Sequence, residues 1–457
     1  MLFQTQGFIL IFLPLAVASY YAVAGSERAR HAVLIAASLV FYGWWDARFI
    51  PLLVGQITAT WLLAYAHKLT GRNAFLHVGI VLNLASLATF KYLDFLIGSA
   101  ETLVGFALPR AHIILPIGIS FFSFQLISYL IDRLRDDAPV YPFRPFALFV
   151  LFFPHLIAGP IVRHNELVPQ LALDPRREGL WFRITAGLGL FTVGCAKKVL
   201  VADILARDCV NPLFLDALHR SLTFAESWNA TIGFALQIFL DFSAYTEMAI
   251  GIALLFGLLL PDNFRRPYLA VDLRDFWRRW HITLSNFIRD YLYIPLGGSR
   301  HGDVRYVAAT LGSMAICGLW HGAGWTYVVW GVWHGAGLVV CRFWQRLKRP
   351  LPTVVGWFVT LQFVLVGWVL FRAANFPTAV DMLRSMAGLN GIAGRFDNAP
   401  TIMAGILLSV LLPSAHEMKD RWARPMPALG AALGLVAFWC VLKVGKGAPL
   451  SFIYFQF

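Results

Sequence analysis

Charge is scarce in this 457-residue sequence: 14% of residues are charged, while 58% are apolar. An ordinary soluble domain is about 25% charged, so the composition excludes a cytosolic enzyme and a disordered chain. The five cysteines (Cys195, Cys209, Cys317, Cys341, Cys440) form no CxxC pair. That excludes a disulfide scaffold and leaves small side chains packed in a membrane. There is no GxxxxGK[ST] phosphate loop, no HExxH zinc motif and no GxSxG nucleophile elbow. No His, Cys and carboxylate spacing suggests a metal site. Tandem repeats, low-complexity linkers and a polar stretch of roughly 100 residues, enough for a second soluble domain, are all missing. The expected organisation is one membrane domain over 1–457: N-terminal spans in 1–145, then a motif-bearing core in 146–457 ending in an aromatic tail.

What is present is a succession of apolar runs. They fall at 7–24, 31–45, 50–67, 75–97, 113–131, 181–205, 231–260, 304–320, 325–341, 354–371, 402–412 and 428–441. At roughly 20 residues per helical span, this predicts an all-α polytopic protein with about 11–12 spans. The first run lacks a basic leader and a small-residue cleavage site, so it reads as a retained span rather than a signal peptide. The net charge of +13 fits basic cytoplasmic loops and calls for no nucleic-acid partner. Arg28 and Arg30, Lys68 and Arg72, Arg133 and Arg135, the Arg342–Arg349 cluster, and Lys419, Arg421 and Arg424 all follow spans. Placing them in the cytoplasm puts both termini outside.

Two segments break the pattern. Residues 146–162 are apolar but carry His155, Gly159, Pro154 and Pro160, which suggests a re-entrant segment buried in protein. Residues 265–303 mix charge with aromatics and read as an amphipathic stretch at the cytoplasmic interface. Helical spacing there puts Trp277, Trp280 and His281 on one face.

Ionisable groups inside apolar runs are costly and therefore mark candidate sites. His321 lies in Gly318-Leu319-Trp320-His321-Gly322-Ala323-Gly324-Trp325, between two apolar runs and among glycines and tryptophans. An imidazole there can move a proton near neutrality; a histidine bonded to a carbonyl in a helix pair is the competing interpretation. The basic helix with Arg278, Arg279, His281 and Asn286 suits a phosphate-bearing ligand or an acidic protein, or else lipid headgroups. Asp241, Tyr245 and Glu247 sit inside a long apolar run, where the carboxylates would orient a histidine, pair with an arginine or form a structural ion pair. His155 and His334 read as packed polar side chains.

Several of these runs, taken together, resemble a known family. Phe276-Trp277-Arg278-Arg279-Trp280-His281, Pro295-Leu296-Gly297-Gly298 and Leu319-Trp320-His321-Gly322 are similar to signatures of the membrane-bound O-acyltransferases. The resemblance is closest to the bacterial branch containing the alginate O-acetyltransferase membrane subunit, with the teichoic acid D-alanyl transfer protein more distant. Phe153-Pro154-His155 through Pro160, Asp241-Phe242-Ser243-Ala244-Tyr245, the 367–373 run and 452–457 also fit. The match runs from about residue 150 onward; the first 110 residues agree in hydropathy only. The resemblance implies a helix ring around a central tunnel, with His321 as the essential histidine and His281 at the second signature position. It implies transfer of an acetyl group from a cytoplasmic thioester to an extracytoplasmic polysaccharide hydroxyl. No cofactor is expected beyond acetyl-CoA or an acyl-carrier thioester as donor substrate, and no metal. Trp320, Trp325 and Trp280 would shape the passage. An extracytoplasmic partner protein would dock through the tail 452–457. The expected location is the bacterial inner membrane. Teichoic acid or peptidoglycan acylation is the alternative; a transporter would show inverted repeats, and a scaffold would need neither histidine.

Overall fold

The computed structural model describes residues 1–394, 396–422, 426–444, 450 and 452–453. Arg424 and the tail residues Tyr454 to Phe457 lie outside the described residues. Among those described there is no strand, and each apolar run lies mostly on helix, the 113–131 run only from Ile119 onward. Five helices are long and apolar enough to cross a membrane, or up to six if the bent pair Ala399–Leu411 and Ala415–Arg421 counts as one span. The other runs are shorter helices or helices interrupted by π-turns, such as Leu180–Lys197 followed by Lys198–Ala202.

The chain divides into two compact units that interleave in sequence. The first comprises Met1–Phe191, Thr246–Pro261 and Trp422–Gly430. Its helices Glu27–Asp46, Ile50–Thr70 and Ala74–Leu87 are tied by buried polar bonds, such as Asn83 Nδ2 donating to Thr60 Oγ1 at 3.0 Å. The Arg30 guanidinium is buried and donates to the carbonyls of Ala24 and Leu173. This arrangement is how a charge inside apolar surroundings is tolerated. Residues 146–162 are not one continuous helix. Phe143–Leu151 breaks at Phe152 and resumes as Phe153–Leu156, and its inner residues are buried. Pro154 sits in the first turn of the second piece, where a missing N–H costs nothing.

The second unit comprises Thr192–Tyr245, Asp262–Arg421 and Ala431–Phe457, and it holds both candidate histidines. Six helices that bear on the site are labelled here: α1 (Phe224–Leu255), α2 (Leu273–Arg279), α3 (Ile282–Ile288), α4 (Gly302–His321), α5 (Trp325–Arg346) and α6 (Thr353–Arg372). The most apolar window of α1 is entirely buried, as a helix apolar on all sides should be.

The helices α4 and α5 form a hairpin whose backbones touch. A Cβ on Gly318 would lie 2.1 Å from the Tyr327 carbonyl oxygen, and one on Gly331 would lie 2.1 Å from that of Met314. Only glycine permits that approach at these two crossings.

The helical-face expectation for Trp277, Trp280 and His281 does not hold. The chain leaves the helix between α2 and α3, where Trp280 is extended and His281 takes a left-handed φ of 44°. The cause is tertiary: Arg265 N–H donates to the Arg279 carbonyl and Ile282 N–H to the Asn263 carbonyl, so the 263–265 strand of coil replaces the next helical turn. Trp277, Trp280 and His281 are buried rather than spread on a surface.

Candidate active site

His321 is the last residue of α4, and the chain after it is extended at Gly322 and Gly324 before α5 begins. Those φ values suit any residue; Gly322 is needed because a Cβ there would lie 2.2 Å from the Tyr327 ring. The imidazole is buried and faces Trp330 edge-on at 5.2 Å, Phe371 at 5.3 Å and Trp320 at 4.9 Å. The His281 ring lies 6.4 Å away, centroid to centroid, across from Trp320 at 6.0 Å. Residues 40 positions apart in sequence thus place two imidazoles in one apolar, aromatic-walled space.

Asn263 fixes His281. Its Oδ1 accepts from His281 Nδ1 (3.2 Å), Thr283 N–H (3.2 Å) and Thr283 Oγ1 (3.0 Å). Because that oxygen only accepts, His281 carries its proton on Nδ1 and presents Nε2 as the acceptor. Complete burial holds the imidazole below the ordinary histidine value, so it is neutral near pH 7. A left-handed φ on a non-glycine residue costs about 1–3 kcal/mol, and the Asn263 clamp holds it there.

The other sequence candidates divide into groups. Trp320 and Trp280 are buried in the site, Trp280 packing on Trp368 at 4.9 Å and stacking on Phe276 at 5.7 Å. Trp325 opens α5 and is 56% exposed. Arg278 is exposed, while Arg279 pairs with Asp275 at 2.7 Å. Asn286 is half-buried on α3. Asp241 pairs with neither histidine nor arginine in its nearest contacts. Its carboxylate meets Lys198 at 3.0 Å and accepts the Ile453 N–H at 2.8 Å, and Lys198 also meets Asp203 at 2.7 Å. Tyr245, one turn further along α1, stacks with Phe452 at 4.8 Å. Phe452 also meets Phe242 at 5.6 Å, and the Phe242 ring stands edge-on to His281 at 4.6 Å.

Asn263, Lys198, Tyr327 and Trp330 escaped the sequence reading. Lys198 had a usable signal, being a charge inside the 181–205 apolar run. Asn263 had none, because only the fold brings its coil to the helix break.

A neutral, oriented imidazole facing a second imidazole among aromatic rings is an arrangement able to accept and pass a proton. The chain belongs to the membrane-bound O-acyltransferase family, whose model matches residues 119–376. It is an O-acyltransferase. It is 38% identical to the peptidoglycan O-acetyltransferase of Helicobacter pylori over 86% of this chain and 81% of that protein. It is 37% identical to the probable alginate O-acetylase of Pseudomonas aeruginosa over 84% of this chain and 75% of that protein. The teichoic acid D-alanyltransferase of Streptococcus thermophilus is 26% identical over 56% of this chain and 68% of that protein.

Proposed function

We propose that this protein moves an acetyl group from a cytoplasmic thioester, across the membrane, to a hydroxyl of an extracytoplasmic polysaccharide of the alginate type. The observation that carries the reading is the buried His321–His281 pair, 6.4 Å apart within aromatic walls. His321 takes the proton of the attacking hydroxyl, the hydroxyl oxygen bonds to the thioester carbonyl carbon, the C–S bond breaks, and the proton passes to the leaving thiolate. His281, neutral and held by Asn263, orients the donor or acceptor through Nε2. The aromatic walls keep out water that would hydrolyse the thioester.

The donor is acetyl-CoA or an acyl-carrier thioester, and the exposed Arg278 with its basic neighbours suits the phosphates of either. The acetyl group is relayed to the polymer through an extracytoplasmic partner protein. The positive-inside pattern supports an inner-membrane protein with both termini outside. Phe452 and Ile453 pack within the second unit, so partner docking by the tail falls to the residues beyond them. Peptidoglycan is the second acceptor to weigh, because the Helicobacter pylori relative matches most of both chains.

The test is a His321→Ala strain beside a deletion strain, with base-labile acetate measured on exopolysaccharide and on peptidoglycan. Deletion should strip one polymer of its acetate, which names the acceptor. His321→Ala should do the same while the protein still accumulates in the membrane. Wild-type acetate in that variant refutes the reading.

A further inference from the structure

His334 lies on α5, within a shell of rings, and is completely buried. Trp330 packs on it at 4.8 Å, Trp277 at 5.4 Å, Phe363 at 5.8 Å and Phe276 at 6.0 Å. Neither of its ring nitrogens has a hydrogen-bond partner among the described residues, and the same holds for the indole nitrogens of Trp330 and Trp277. A buried polar group left in that condition costs on the order of 1–3 kcal/mol. A phenylalanine would fill the same space without that cost, so bulk alone does not explain a histidine.

The geometry shows what the nitrogens face. A Cβ on Gly367 of α6 would lie 3.0 Å from His334 Nε2 and 3.5 Å from Trp330 Nε1. Both atoms therefore look onto the bare backbone of one glycine. An indole N–H only donates, whereas a neutral imidazole also accepts. The two nitrogens are not within direct hydrogen-bonding geometry, so His334 is the one side chain of this trio able to receive the Trp330 N–H, through a single bridging water.

Trp330 is also the ring that His321 meets edge-on. On the other side, Phe276 stacks on both His334 and Trp280, the residue that precedes His281. We propose that His334 is a positioning residue of acyl transfer: its ring nitrogen sets the orientation of Trp330, and Trp330 sets that of His321. The inference rests on His321 being the base.

The test uses the full-length protein in detergent with acetyl-CoA and its acceptor system, reading kcat, KM and thermal unfolding. His334→Phe keeps the ring and removes the nitrogens. It should unfold no earlier than wild type yet lose kcat roughly tenfold or more, with KM unchanged. His334→Gln, which restores an acceptor, should recover most of that loss. Trp330→Phe should lower kcat similarly, and the His334→Phe/Trp330→Phe double variant should be no worse than either single one. Full activity in His334→Phe, or additive losses in the double variant, overturns the proposal and leaves His334 a filler. If His334→Phe does not fold, His334→Leu, which also lacks a ring nitrogen, takes its place against Trp330→Phe under the same criterion. A His321→Ala control that still turns over would refute the base assignment instead.

Discussion

At the residue scale, the two histidines do different work because their surroundings differ. His281 is committed to one tautomer by Asn263 Oδ1 and is kept neutral by burial. It therefore contributes no ionisation near neutral pH. Under the proposed role His321 must be neutral to accept the proton, so kcat/KM should carry an acid limb. His281→Asn should lower the rate roughly 100-fold and leave the midpoint of that acid limb in place. A pH–rate profile in which the limb moves would show that His281 titrates in the working range. His321 stood out in the sequence as an imidazole between two apolar runs, and the structure places it, buried, 6.4 Å from His281. Asn263 was not legible: it is one polar residue in a coil, and its importance exists only after Ile282 and Thr283 have been folded against it.

At the element scale, the site depends on how closely α4 and α5 approach. Gly318 and Gly322 both oppose Tyr327, but in different ways. Gly318 faces its carbonyl, which cannot move without moving α5; Gly322 faces its ring, which can. Alanine at either position should destabilise the protein by about 1–3 kcal/mol through overpacking. In a Tyr327→Ala background the Gly322→Ala cost should shrink, while the Gly318→Ala cost should stay. Thermal unfolding of the three single and two double variants forms the two double-mutant cycles that check this; equal coupling at both glycines would contradict the geometry. Hydrophobic runs were easy to read as helices, since each of the twelve lies mostly on helical segments. The break at Trp280 and His281 was hidden, because the helical period continues through it and only the tertiary bonds to Asn263 and Arg265 stop the helix. The hairpin glycines were visible as letters, but which backbone each one admits was not.

At the scale of the whole molecule, one buried network of the second unit joins Lys198 to Asp203 and Asp241. Lys198 and the Asp241 carboxylate are both 3% exposed, and Asp203 is 17% exposed. Lys198→Met would leave two carboxylates without their cation, a change that costs on the order of 3–5 kcal/mol when one partner of a buried pair is lost. The unfolding temperature in detergent should drop, and adding Asp203→Asn and Asp241→Asn should recover much of it. An unchanged unfolding temperature in the single variant would mean the network carries little of the fold. The sequence announced Asp241 as an ionisable group inside a span but not its partner, because Lys198 and Ile453 reach it from 43 and 212 positions away.

That separation has a consequence for how the protein is made. Lys198 and Asp241 are made near the middle of synthesis, and the N–H that completes the Asp241 carboxylate emerges 212 residues later. Until then Phe242, whose ring stands against His281, lacks its neighbour Phe452. Competence should therefore appear late in synthesis, and a ribosome stalled before codon 452 should leave a protein that is inserted but inactive.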